Sequence, residues 1–217
     1  MEAPATRSSP VTVVNTLVAV NLLVFLLWWW QGVPVEVMVG HFLVSWPHLV
    51  DGRIWVLLTS VFSHNLLFHL AINLIVLLSF GPPMERLMGS RRFLGFYLAA
   101  GLIASLAHVG VSTLLIGRPE QPALGASGAI AGILVLFAFS FPKAKVLLFF
   151  LIPLPAIVAA LVFVAIDIWG LIAQIEGAGL PIGHGAHLGG ALTGLIYFLV
   201  RWNRLRARWQ RIEEIPG

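Results

Sequence analysis

One serine in the sequence stands among small residues at a point where chemistry is possible. The segment Leu124–Gly132 reads "LGASGAIAG", and its hydroxyl belongs to Ser127. Serine becomes a nucleophile only when a base takes its proton, and histidine is the usual base at hydrogen-bond distance. Gly128 and Gly132 lie four residues apart beside Ser127, so a second helix could approach this one closely. We therefore look for a histidine on such a helix.

His187 is the histidine that fits this requirement. It shares a helix face with Gly190, Ala191 and Gly194, at offsets of three, four and seven residues. Its segment therefore also presents a reactive side chain above a groove of small residues. The two patterns together predict a dyad in which His187 takes the proton of Ser127.

A serine that attacks a carbonyl also needs hydrogen-bond donors where negative charge develops. The backbone N–H of Ser127 near the start of a helix is one candidate. His69 and Asn73 lie four residues apart on one face of another apolar segment, and both can donate. Because a lipid-facing Asn73 would be costly, we expect it to point into the bundle.

The composition indicates a membrane protein. Of the 217 residues, 59% are hydrophobic and only 10% are charged, with mean hydropathy +0.95; a soluble domain carries roughly 25% charged residues. The absence of cysteine excludes disulfides, thiolate metal sites and a cysteine nucleophile. The basic residues stand beside apolar runs, so the high pI indicates orientation in a membrane, and no nucleic-acid partner is expected.

Six apolar runs are long enough, or nearly long enough, to span a membrane. In the fifth run, Pro153 and Pro155 predict a bend or a late helix start. We expect an N-terminal cytoplasmic segment 1–10, a six-helix membrane domain 11–202 and a basic cytoplasmic tail 203–217. The first run is long and ends in three tryptophans, which predicts a retained helix rather than a cleaved signal peptide. The runs are Val11–Trp30, Asn65–Phe80, Phe93–Ile116, Leu124–Phe141, Val146–Ala173 and Gly185–Trp202.

The charges predict the orientation of these runs. With a cytoplasmic N-terminus, eleven lysines and arginines fall on the inner side and only Arg53 and Arg118 on the outer side. Both termini are then cytoplasmic, and the second, fourth and sixth helices begin at the outer face. The candidate residues lie at the beginnings of these three helices, which predicts one site just inside the outer leaflet.

Several short motifs give the chain a resemblance to the rhomboid intramembrane serine proteases, from about Val11 to Val200. "HNLLFHLAIN" resembles the family's second-helix pattern of two histidines and an asparagine, and "MERLMGSRRF" its glutamate-containing turn. "GASG" and "AHLGG" match the family's G-x-S-G and A-H-x-G-G, and "IPLP" in the fifth run resembles many members. The combination is far more specific than any single motif.

The resemblance implies an all-α membrane protein with a rhomboid-like bundle of six transmembrane helices around a water-filled cavity. It implies an endopeptidase that hydrolyses peptide bonds in or near transmembrane segments, with no metal or cofactor and no acidic third member. Ser127 would be the nucleophile and His187 the general base and then acid. His69, Asn73 and the Ser127 N–H would form the oxyanion hole. The supporting residues would be His64, Gly125, Gly128 and Gly190.

Two positions depart from the family pattern. Val56 stands where an arginine commonly follows Trp55, and Arg53 could substitute from a different direction. Ala131 stands where the family usually has an aromatic ring that stacks on the catalytic histidine, and a neighbour such as Leu134 could fill the gap. We expect reduced activity or a narrower substrate range, and a gain on introducing Phe at position 131.

Asp167 and the remaining histidines allow other interpretations. Asp167 in the fifth run could orient a histidine, line the cavity or be a hydrogen-bonded structural acid. His184, three residues before His187, could join His64 and His69 in a metal site. The five-residue step from His64 to His69 fits one helix face poorly, however, and there is no HExxH motif. We therefore expect no metal.

Three functions compete for this sequence. The first is the protease, acting on single-span transmembrane proteins within the lipid bilayer. The second is a non-catalytic rhomboid-like protein that binds transmembrane helices, although such proteins typically lose the serine or histidine. The third is a small transporter with a histidine-lined proton path, which would not predict G-x-S-G opposite A-H-x-G-G. The protease is favoured, and the compact chain predicts a multi-pass protein of a bacterial inner (plasma) membrane.

Overall fold

The computed structural model describes residues 12–148 and 151–213. This part of the chain contains nine α-helices, a short 3₁₀ helix at Ser60–Phe62 and one pair of strands. The elements are α1 (Thr12–Trp29), α2 (Val35–Phe42), α3 (Trp46–Val50), α4 (Val56–Thr59), α5 (Leu67–Met88), α6 (Ser90–Leu114), α7 (Ser127–Ser140), β1 (Lys145–Leu148), β2 (Ile152–Pro155), α8 (Ala156–Ile175) and α9 (His184–Glu213).

The helices are those of an all-α membrane protein. In the described residues, α1, α5, α6 and α8 are long and apolar enough to cross a membrane. The helix α7 is apolar but has only 14 residues, and α9 has 30 residues. Each of the six predicted apolar runs overlaps one of these six helices. The number of membrane crossings and the side of the termini remain predictions.

The fifth and fourth runs differ from the predicted boundaries. Residues at the start of the fifth run form the antiparallel pair β1–β2, with Lys145 opposite Pro155, and α8 begins only at Ala156. Proline has no N–H to give to a helix, so the two prolines hold this segment extended. The late helix start was predicted, but the strands were not. The fourth helix starts at Ser127 rather than near Leu124, because Gly125 has φ +122°, outside the helical region.

A crossing of glycines brings α7 and α9 together at backbone distance. A Cβ atom at Gly190 would overlap the carbonyl of Gly128, and one at Gly194 would overlap that of Gly132. A Cβ at Gly128 would in turn overlap the side chain of Ala104 on α6. The predicted grooves of small residues therefore do face each other, and they set the start of α9 beside the start of α7.

Glu85 ties the end of α5 to the beginning of α1. Its two carboxylate oxygens accept hydrogen bonds from the backbone N–H groups of Val13 and Val14, each at 3.0 Å. The hydroxyl of Ser90 donates to Oε1 at 2.6 Å. The first N–H groups of a helix have no partner within it, so a buried carboxylate placed there stabilises α1. The glutamate-containing turn thus stabilises the packing of α1 on α5, away from the candidate site.

The predicted domain boundaries fall partly outside the described chain. The segment 1–10 and the last four residues of the tail 203–217 lie outside it. Within the described residues, α9 continues without a break across the boundary predicted at residue 202.

Candidate active site

Ser127 and His187 meet where α7 and α9 both begin. The Ser127 hydroxyl lies 2.9 Å from Nε2 of His187. Ser127 is the first residue of α7, and His187 lies in the first turn of α9. The glycine crossing allows two such short side chains to reach each other. A hydroxyl that donates to a neutral imidazole nitrogen is the arrangement that proton removal requires.

A carboxylate lies behind His187. Oδ1 of Asp167 on α8 is 2.9 Å from Nδ1 of His187 and 2.7 Å from Nδ1 of His184. Asp167 is 3% exposed, although its chain neighbours Ile166 and Ile168 face outward. Asp167 is not in the cavity wall, and its hydrogen bonds fit both an acid that orients a histidine and a hydrogen-bonded structural acid. The resemblance had implied a site without an acid.

An aromatic ring also faces His187, but it comes from α8 and not from α7. The ring centroids of Phe163 and His187 are 5.7 Å apart with a 32° tilt. At the family's usual ring position, Ala131 is fully buried. Leu134 lines the cavity, but the ring found against the histidine is Phe163. The signal in the sequence was the spacing of Phe163 and Asp167, four residues apart on one helix face.

The candidate oxyanion donors line the same cavity as Ser127. The cavity has a volume of about 700 Å³, and His69 and Asn73 lie in its wall with His187. Asn73 is 4% exposed and its Nδ2 donates to the carbonyl of His69 at 2.8 Å, which leaves its second hydrogen for another acceptor. As expected, Asn73 lies inside the bundle.

His64 and Gly125 shape the loop that leads into Ser127. Nε2 of His64 accepts a hydrogen bond from the Ala126 N–H at 3.4 Å, and the His64 ring lies edge-on to that of His69. Burial lowers the pKa of His64 to about 3, so its ring is neutral and can accept. Gly125 combines a positive φ with close contact to His69, since a Cβ there would lie 2.7 Å from Cε1. His64 precedes α5, which explains how a five-residue step still brings the two rings together.

A group of three side chains could hold a metal in principle. The donor atoms of Asp167, His184 and His187 lie within 4.8 Å of one another. The 2.7 and 2.9 Å separations are hydrogen-bond lengths, and they use Nδ1 of both rings. His64 and His69 do not belong to this group, so the histidine set considered from the sequence is divided between two places.

Val56, the first departure from the family pattern, packs in a small apolar cluster, and the Arg53 guanidinium has partners of its own. Val56 is fully buried beside Val44 and Val109. Arg53 donates to the carbonyl of Gly40 at 3.4 Å and pairs with Asp51. In this structure the guanidinium therefore contacts α2 and the residue that caps the end of α3.

Curated proteins with similar sequences come from plants, fungi and animals. The chain is 32% identical over 206 residues to "RHOMBOID-like protein 12, mitochondrial" of Arabidopsis thaliana, covering 89% of this chain and 58% of that protein. It is 33% identical to "Rhomboid protein 1, mitochondrial" of Saccharomyces cerevisiae, covering 88% and 54%. It is 35% identical to the human "Presenilin-associated rhomboid-like protein, mitochondrial", covering 85% and 47%.

These comparisons correct one prediction. The chain spans about half the length of the curated relatives it matches, and all three are named as mitochondrial. The predicted location in a bacterial inner membrane was therefore wrong. A compact set of apolar runs specifies that a chain enters a bilayer, but it does not specify which bilayer.

The family model for the rhomboid domain matches residues 51–204. This range includes the second-helix histidines, the G-x-S-G serine and the sixth-helix histidine described above. The resemblance seen in the motifs is confirmed, and the chain belongs to the rhomboid family.

Proposed function

We propose that this protein is an intramembrane serine endopeptidase that cleaves peptide bonds in or near transmembrane segments of single-span proteins. The observation that carries the proposal is the 2.9 Å contact between the Ser127 hydroxyl and Nε2 of His187 at a cavity wall. Family membership supports the same reaction class. The residues at the site supply a nucleophile, a base and hydrogen-bond donors from the chain itself.

The chemistry follows from the two side chains. Nε2 of His187 takes the Ser127 proton while Oγ attacks the peptide carbonyl, giving a tetrahedral intermediate. When the C–N bond breaks, the imidazolium returns that proton to the leaving amine, and an acyl-serine ester remains. His187 then takes a proton from water, whose oxygen attacks the ester. Loss of Oγ gives the carboxylic acid product and returns the proton to Ser127.

Three donors are available for the negative charge on the carbonyl oxygen. The N–H of Ser127 lies at the beginning of α7, where the helix dipole favours negative charge. The free hydrogen of the Asn73 amide and an N–H of the His69 ring border the same cavity. Removing one donor of this kind typically costs about 10²–10³ in kcat. We propose Asn73→Ala as the first test of this set.

The substrate must expose a peptide bond that its own helix normally protects. A transmembrane helix satisfies its backbone groups internally, so it must unwind locally before its carbonyl can reach Ser127. Substrates with small or helix-breaking residues near the cleaved bond are therefore favoured. We propose six membrane crossings with both termini on the side that carries eleven basic residues. The names of the relatives support a mitochondrial membrane.

The test is cleavage of a labelled single-span substrate by purified protein in liposomes. Wild type should cleave with and without a chelator, while Ser127→Ala and His187→Ala should be inactive. His48→Ala is the matched control, since His48 bonds to Ser45 and does not line the cavity. If wild type is as silent as both variants but still retains the substrate, the protein binds helices without cutting them. Cleavage that the chelator abolishes would indicate a metal enzyme instead.

A further inference from the structure

We propose that Asp167 is a positioning residue for His187, and that one face of α8 is built to hold the catalytic histidine. This inference rests on the proposed protease function and adds an acidic member to its dyad. Phe163, Asp167 and Gly170 lie at offsets of four and three, on one face of α8. The ring, the carboxylate and the gap left by the glycine each meet a histidine at the start of α9.

The first consequence concerns which nitrogen of His187 carries the proton. A neutral imidazole has one N–H donor and one acceptor nitrogen. Because a carboxylate oxygen 2.9 Å away can only accept, Nδ1 must carry the hydrogen. Nε2 is then free to accept the Ser127 proton. Without Asp167, the ring could protonate at Nε2 and would no longer serve as the base.

The second consequence concerns the charge that appears during the reaction. His187 becomes an imidazolium when it takes the serine proton, and Asp167 places a buried negative charge beside it. Electrostatic interactions are stronger in such a water-poor position than in solution. Asp167 does not take the proton itself. It stabilises the charged ring and holds it in the plane that Ser127 requires.

His184 in turn holds Asp167. It donates from Nδ1 to the same Oδ1 at 2.7 Å, and its own side chain is only 6% exposed. A Cβ at Gly170 would overlap the His184 ring, so the glycine provides the space for that ring. Oδ2 of Asp167 has no hydrogen-bond partner in the described chain, which leaves the two histidines to fix the carboxylate. A carboxylate shared between two rings cannot turn away from either one easily.

The decisive variant is Asp167→Asn, which keeps the shape and removes the charge. We expect kcat to fall by about 10²–10⁴-fold with KM nearly unchanged, because a wrong tautomer slows proton transfer and leaves substrate binding intact. Phosphonylation of Ser127 by an activated phosphonate ester should slow in parallel. Asp51→Asn is the matched control, since that carboxylate is exposed and pairs with Arg53. Equal kcat in Asp167→Asn and wild type would overturn the proposal.

A second measurement works even if Asp167→Asn does not fold. In ¹⁵N-histidine-labelled Ser127→Ala, the His187 ring has lost its serine partner, so Asp167 alone decides its tautomer. NMR should show Nδ1 protonated, with the His187 signal assigned by its loss in His187→Gln. A protonated Nε2 would overturn the proposal. Failure of the proposed function is a separate result: wild type would then show no cleavage that depends on Ser127.

Discussion

The helix α9 is held by two neighbours in opposite ways. At the glycine crossing the contact with α7 is backbone against backbone, because Gly190 lies on the carbonyl of Gly128 and Gly194 on that of Gly132. Towards α8 the contact is made by side chains, chiefly the Asp167 carboxylate. The glycine crossing is made of backbone that cannot adjust, and the α8 interface is made of groups that can turn.

The difference separates two requirements of a serine–histidine pair. The glycine interface fixes how far His187 lies from Ser127, since two backbones in contact cannot be moved closer or apart without shifting a helix. The α8 interface fixes how the ring is turned and where its proton resides. A misplacement of about 1 Å can cost 10²-fold in rate. We therefore expect a packing change at the glycine crossing to have a larger effect than a packing change at the α8 interface, where only loss of the Asp167 charge has an effect as large.

Among the packing variants, Gly190→Ala should give the largest effect, because it breaks the contact between α7 and α9. The new methyl group would overlap the carbonyl of Gly128, which belongs to the backbone and cannot rotate away. We expect kcat/KM to fall by about 10²-fold or more and the free energy of unfolding to fall by about 1–3 kcal/mol. Substrate cleavage and thermal unfolding in detergent measure the two effects. Gly110→Ala is the control, since no atom of the described residues lies within 4 Å of a Cβ there. Equal results for both variants would refute the importance of the crossing.

Ala131→Phe tests whether the missing ring can be returned to α7. The sequence alone suggested a gain in activity, but Ala131 is fully buried and Phe163 already faces His187. Overpacking of a filled core costs about 1–3 kcal/mol, so we now expect lower stability and no gain in kcat. Thermal unfolding and cleavage rates check this. An increase in kcat would mean that the ring from α8 does not replace the family's usual one.

Phe163→Leu should weaken the α8 interface without moving a helix. A ring contact of this kind is worth about 0.5–1.5 kcal/mol beyond its buried area, which corresponds to at most about a tenfold loss of kcat. Phe139→Leu is the matched control, because Phe139 packs on Phe198 away from the cavity. If both variants lose the same activity, Phe163 contributes packing alone.

The sequence predicted the α7 interface far better than the α8 interface. Short motifs with glycines at four-residue spacing identified Ser127, His187 and the crossing between their helices, because that geometry depends on residue size and helix period. Asp167 and Phe163 lie in a strongly apolar run without such a motif. Although α9 is the next helix in the chain, no residue pattern in α8 indicates which of its faces packs on α9, so only the packing of the two helices reveals these residues. The β1–β2 pair was missed because an apolar run containing prolines does not distinguish strand from helix.

Gly170→Ala should give the smallest loss of kcat, and it tests the α8 interface most specifically. The methyl group would overlap the His184 ring rather than backbone, so His184 can turn away at the cost of its bond to Asp167. A hydrogen bond to a charged group contributes about 1.5–3 kcal/mol, but His184 acts on the reaction only through Asp167, so we expect a loss of only about two- to tenfold in kcat with KM retained. Gly95→Ala introduces the same methyl group at a place where the described part of the chain has no atom within 4 Å, and it should behave as wild type. Because Asp167→Asn already removes the carboxylate that His184 supports, adding Gly170→Ala to it should lower kcat no further. If instead the double variant lost kcat by the product of the two single losses, Gly170 would act on the packing of α8 in general and not through His184 and Asp167.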